Sequence, residues 1–134
     1  MGVGEAVIVA GIGCRKGASA ADIDAALATA LERAGRPLAR IDLMATAERK
    51  RDEAGIAAAA EARGLRLIFV APDELEIASA RGATWSARVL ALAGVPSVAE
   101  AAALAAGGSK ARLILPRIVV GKVTCALAES EVAP

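Results

Sequence analysis

Three glycines and two cations fall within seven residues, Gly11-Ile12-Gly13-Cys14-Arg15-Lys16-Gly17, directly after the apolar run at residues 6–10. Glycine lets the backbone come close to a ligand because no Cβ intervenes. Arg15 and Lys16 place positive charge in the same turn, and a helix start directly after it adds the partial charge of its unpaired N–H groups. The combination describes a pocket for an anion. The spacing is GxGxxxG, one residue longer than the dinucleotide fingerprint, and the sequence has no GK[ST] phosphate loop, so a nucleotide or phosphate binder is the weakest reading. For Gly11, Gly13 and Gly17 the competing account is a tight turn with close helix–strand packing.

Other candidates lie further along. Cys14 sits beside two cations at a helix start, a setting that lowers a thiol pKa and favours a nucleophile. The alternative is a small residue filling a tight turn. Thr46 offers a hydroxyl at a strand end, and Lys50 and Glu53 offer a ligand-facing cation and an acid/base carboxylate. The charge run Glu48-Arg49-Lys50-Arg51-Asp52-Glu53 reads equally as a solvated connection whose acids favour the next helix start.

What is missing narrows the chemistry. There is no His, Tyr, Asn or Gln, so imidazole metal ligands and a His-dependent triad are excluded. Cys14 and Cys125 are too few and too far apart for a metal site. No metal and no cofactor are expected. Sixteen basic against fifteen acidic residues give a net charge of +1, and one Trp and one Phe leave no stacking platform, which together argue against a nucleic-acid partner. Alanine supplies roughly a quarter of the chain, yet no apolar stretch reaches the roughly 18 residues needed to span a bilayer. Glu5 interrupts the start and no basic segment precedes the apolar run, so a cytoplasmic protein without a membrane partner is expected. At 134 residues, one domain over 1–134 is expected.

Several elements must position these residues. Residues 6–12 read as a buried first strand. Ser19 caps a helix with Asp22 in its first turn, and Ile23, Ala26, Leu27, Ala30, Leu31 and Ala34 form its apolar stripe until Gly35 and Pro37 stop it. Residues 40–46 alternate as a half-exposed strand, residues 52–63 suit a short helix closed by Gly64, and residues 65–70 read as a third strand with Pro72 at its exit. Residues 73–82 form a helical turn or loop. Thr84 caps a helix carrying Trp85, Arg88, Val89 and Leu92, with Trp85 expected in the core. Ser97 and Glu100 make a capping box for an Ala-rich helix ending at Gly107-Gly108. Residues 112–116 and 122–128 are two strands of a hairpin, joined by five residues that include Gly121, and residues 129–134 form a frayed tail. Strands alternating with helices, then a late hairpin, indicate a three-layer α/β/α domain with a mostly parallel, mixed sheet. In such sheets ligands bind beyond the carboxyl ends of the strands, which brings residues 11–17, 46–53 and 71–73 to one rim.

With these residues in place the chain resembles a known family. Gly11-Ile12-Gly13-Cys14-Arg15-Lys16-Gly17 after a first strand is similar to the opening of the CobE/CbiG C-terminal family of cobalamin biosynthesis. Three further blocks follow in the family's order: Thr46 with Lys50, Glu53 and Gly55; Gly94-Val95-Pro96-Ser97-Val98-Ala99-Glu100-Ala101-Ala102; and Pro116 with Gly121-Lys122-Val123-Thr124. The chain departs from the family after Pro116, where relatives often carry more cations than Arg117 alone, and at Ala54, where relatives often have proline. No extra N-terminal region is present, so the stand-alone CobE-like form is expected. The resemblance implies a part in corrin ring formation and a corrin or precorrin intermediate as ligand, with other cobalamin-pathway enzymes as partners. Two roles stay open: a tetrapyrrole-binding carrier, chaperone or accessory protein, and a hydrolase acting on a precorrin lactone, with Cys14, Lys50 and Glu53 as its candidate groups. Gly11, Gly13, Cys14, Arg15, Lys16, Gly17, Thr46 and Lys50 are the candidate ligand-binding residues.

Overall fold

The computed structural model describes residues 6–37, 39–80, 98–108 and 110–131. Strand β1 (Ala6–Cys14) lies at the centre of a five-stranded sheet. On one side it pairs in parallel with β2 (Leu43–Ala47), which pairs in parallel with β3 (Arg66–Val70). On the other side it runs antiparallel to β5 (Val123–Glu131), and β5 runs antiparallel to the outer strand β4 (Arg112–Val120). The order β3-β2-β1-β5-β4 is therefore half parallel and half antiparallel.

Helices cover both faces, and the alternation of β1 decides what each face receives. Ile8, Ala10 and Ile12 point toward α1 (Ala20–Arg33) and α2 (Ala54–Arg63). Val9 points the other way, into a second cluster with α4 (Val98–Gly107) and α3 (Pro72–Ala80). The first face is filled with Ile, Leu and Met. The second is largely alanine, and this lets α4 lie close to the sheet: a Cβ placed on Gly11 would fall 1.9 Å from the Ala99 carbonyl oxygen. No helix among the described residues is long and apolar enough to cross a membrane.

Helix α1 forms where its pattern predicts. Ser19 and Asp22 make a reciprocal capping box, and Ile23, Ala26, Leu27, Ala30 and Leu31 are its buried residues. Helix α2 ends at Gly64, which takes the left-handed conformation (φ 67°) that a Cβ disfavours.

Four local expectations need correction. Strand β2 is not half exposed: Met44, Ala45, Thr46 and Ala47 are all buried, because a strand between two others and under helices on both faces has no solvent side. Pro72 opens a nine-residue helix, more than the helical turn or loop expected from residue 73, its fixed φ suiting the first turn, where Asp73 and Glu74 face the positive end of the dipole. The hairpin turn is only Gly121-Lys122, since β4 continues through Pro116 to Val120. Proline is tolerated there because β4 is the sheet's edge and its pairing slips between Leu115 and Ile118. Finally, residues 129–131 are not frayed but complete β5. The expected helix from Thr84 with Trp85, the Gly94–Ser97 part of the third family block and residues 132–134 lie outside the described residues.

Glu129 shows why that end of β5 is held. Its carboxylate accepts from Arg36, just beyond α1, and from Arg112 Nη2 on β4 at 3.1 Å. Its side chain is only 13% exposed. The hydrogen bond from Arg36 is the main cause holding this carboxyl below its usual range. A depressed carboxylate stabilises the fold above its unfolded pKa, about 4.3, and that contribution is lost as pH falls through the lower folded value. Denaturation midpoints measured from pH 6 downward should fall less steeply below about pH 4.5 for Glu129→Gln than for the wild type. Parallel curves would refute the linkage.

A cation-lined cleft at the strand ends

Beyond the carboxyl ends of β1 and β2 lies a cleft of about 350 Å³. Its floor is Gly13 and Cys14 at the end of β1. One wall is the first turn of α4, through Val98 and Ala99, and another is the β4–β5 hairpin. Five cations line it: Arg15, Arg49, Lys50, Arg117 and Lys122. No Asp, Glu or aromatic residue joins them among the described lining residues. A protein with net charge +1 thus gathers five of its sixteen basic residues around one cavity. A second hollow of about 370 Å³ nearby makes the contrast, because Glu48 and Asp52 stand in it beside Arg49 and Arg51. The guanidinium of Arg51 is engaged over the Phe69 ring, 4.3 Å from its centroid.

The cations arrive from three parts of the chain, and Arg49 and Lys50 share one turn. The Arg15 amide donates to the Lys122 carbonyl at 2.9 Å, which carries the β1–β5 ladder one step past Cys14 and Val123 and sets two cations side by side. Lys50, at the end of a short 3-10 turn (Glu48–Lys50), donates from Nζ to the Cys14 carbonyl at 2.9 Å. Arg117 enters from the outer strand. Of the rim predicted from the sheet rule, residues 13–15 at the end of β1 and residues 49–50 in the turn after β2 meet in this cleft, whereas Pro72 lines the second hollow instead.

The residues singled out from sequence divide on inspection. Gly13, Cys14, Arg15 and Lys50 line the cleft. Gly11 does not: it is buried under α4, and packing accounts for it. Gly17 serves the turn, with φ 84°. Lys16 is exposed and is not among the lining residues. Thr46 is fully buried, and its hydroxyl donates to the Ile12 carbonyl at 2.7 Å, so it clamps β2 to β1 and does not face a ligand. Glu53 accepts from the Gly17 amide at 3.2 Å, and this places it as a brace for the turn.

Four of the turn's own amides are spent within the protein. Those of Arg15, Gly17, Ala18 and Ser19 donate to Lys122, Glu53, Arg15 and Asp22 respectively. The amide nest expected from the glycine spacing is therefore largely occupied, and the helix whose first turn faces the cleft is α4 rather than α1. The lowered thiol pKa expected for Cys14 is not found either. Burial, then the Glu53 carboxylate, pushes this thiol up, with Lys50 acting in the opposite direction. Burial pushes the Cys125 thiol up to about 12 inside the core.

Residues 8–128 match the family model described as cobalamin synthesis G C-terminus. The chain belongs to that family. It is a cobalamin biosynthesis protein of the CobE/CbiG C-terminal type, as the resemblance implied. Protein CobE from a Sinorhizobium species is 35% identical over 121 residues, covering 90% of this chain and 79% of that protein. Among solved structures, the cobalamin biosynthesis protein chiG from Agrobacterium tumefaciens is 51% identical, with a TM-score of 0.77 over 91% of this chain and 97% of that one. A CobE crystal structure is 37% identical and also gives a TM-score of 0.77, over 93% and 91% of the two chains. A cobalamin biosynthesis protein G homologue from Sulfolobus solfataricus is 26% identical with a TM-score of 0.63, and this chain covers 36% of it.

Sequence reasoning passed over Arg49, Arg117 and Lys122 as ligand residues. The signal for Lys122 was present in the two-residue turn, because a hairpin closing at Gly121-Lys122 brings position 122 opposite position 15. Nothing local marks Arg117, whose place depends on a slip in strand pairing.

Proposed function

We propose that this chain binds a polycarboxylated corrin or precorrin intermediate of cobalamin biosynthesis by its acid arms, acting as a carrier, chaperone or accessory protein. One observation carries this reading: five cations and no carboxylate among the described residues of the cleft. Such an intermediate bears several acetate and propionate groups around its ring, and cations supplied by the end of β1, the Glu48–Lys50 turn and the β4–β5 hairpin suit a ligand with more than one of them on an edge. The first turn of α4 adds its dipole to the same cavity. Drug-sized ligands occupy pockets of about 300–1,000 Å³, so a cleft at the small end of that range suits one edge of a macrocycle and not its whole disc. The remainder of the ring would stand outside, open to the next enzyme of the pathway.

Binding is placed ahead of the hydrolytic alternative because its chemical groups are committed elsewhere. The Cys14 thiol is pushed up and Glu53 holds the Gly17 amide. The test is a titration with a metal-free polycarboxylated tetrapyrrole and with its fully amidated counterpart, followed by absorbance and gel filtration. The acid form should co-elute with the protein, and raising salt from 0.05 to 0.5 M should weaken binding by about tenfold or more as charges are screened. The amidated form should not bind. Separate elution at every concentration, or equal binding of both forms, would overturn the proposal.

A further inference from the structure

Glu100 is fully buried in the first turn of α4, where every other buried residue is Ala or Leu. A carboxylate costs free energy in such a place unless it is hydrogen-bonded. Its Oε2 accepts from the Arg117 amide at 3.1 Å. That amide belongs to a bulge: Leu115 pairs with Leu127 and Ile118 with Cys125, so Pro116 and Arg117 together face Ala126 alone. Arg117 is one of the five cations, and Val98 and Ala99, just before Glu100, form the facing wall. One half-buried hydrogen bond therefore joins the two walls behind the lining.

We propose that Glu100 is a positioning residue, which braces the β4 bulge from inside α4 and so fixes Arg117 at the mouth of the cleft. The inference rests on the binding reading above and extends it to a residue that touches no ligand. Without the brace, only the pairings of Leu115 with Leu127 and Ile118 with Cys125 hold the bulge in register on β5. A slip of one residue reverses which face each side chain takes, and it would carry Arg117 away from the cavity. The capping role that the sequence assigns to Glu100 does not account for a bond to a strand seventeen residues away.

The test uses the full chain and five proteins: wild type, E100Q, E100M, R117A and E100M/R117A, each titrated with the metal-free polycarboxylated tetrapyrrole. Glutamine keeps an acceptor oxygen, so E100Q should bind within about threefold of wild type. E100M, which keeps the length and loses the acceptor, should weaken binding by about tenfold, as should R117A. The double variant should bind no more weakly than R117A alone, because both changes remove the same contact. Additive losses, or E100Q as damaging as E100M, would overturn the proposal. Amide hydrogen exchange supplies a readout that needs no ligand: the Arg117 amide should be protected in wild type and E100Q and exposed in E100M, with β1 amides unchanged. If E100M does not fold, exchange in wild type and E100Q decides, and an unprotected Arg117 amide in wild type refutes the brace. A wild type with a protected Arg117 amide that binds no tetrapyrrole would overturn the function while leaving the brace intact.

Discussion

Gly11→Ala destabilises the fold by more than about 3 kcal/mol, while Gly13→Ala, two residues along the same strand, changes stability by less than about 1 kcal/mol. The added methyl at position 11 would stand 1.9 Å from the Ala99 carbonyl oxygen and 2.8 Å from the Ala103 nitrogen. Both are backbone atoms of α4, so no side chain can swing aside. The helix itself must retreat, and with it the tight contacts of Ala101, Ala102, Ala103 and Leu104 that make up the second core. At position 13 the nearest atom is Thr124 Cβ at 3.9 Å, an ordinary contact. Urea denaturation of the two variants beside wild type makes the comparison. Equal stability of Gly11→Ala and wild type would show that α4 is not seated as described.

Arg15→Ala combined with Arg117→Ala lowers affinity for a polycarboxylated tetrapyrrole by about a hundredfold. Each charged hydrogen bond is worth about 1.5 kcal/mol, and about 1.4 kcal/mol is a factor of ten. Lys16→Ala is the control that distinguishes a site from a general positive field. It removes the same charge one residue from Arg15 but outside the cleft, and should change affinity by less than about twofold. Calorimetric or fluorescence titration at one fixed salt concentration compares the wild type, each single arginine variant, the double variant and Lys16→Ala. A loss in Lys16→Ala equal to that of either arginine would mean that the ligand senses only net charge.

These two results separate residues that the sequence places in one motif. The GxGxxxG segment announces its own importance through composition, yet it cannot say which glycine answers to a ligand and which to a helix from the far side of the chain. Gly11 is decided by Ala99 and Ala103, some ninety residues away. Helix α1 was legible in full because its capping box and apolar stripe are local signals. Strand β2 was legible as a strand but not in its burial, which depends on neighbours on both sides. The cleft was legible at Arg15 and Lys50, where a turn and a strand end coincide. It was illegible at Arg117, because a bulge is a property of two strands and only one of them carries the residue. Thr46 misled for a related reason: a hydroxyl at a strand end looks available until the adjoining strand's carbonyl claims it.

The outermost strand β4 carries proline and two shifts of register within nine residues. A second copy approaching it would find an interrupted row of donors and a bent backbone, a poor template for edge-to-edge growth. The irregularity that sets Arg117 beside the cleft thus also blunts this margin of the sheet against self-assembly into filaments.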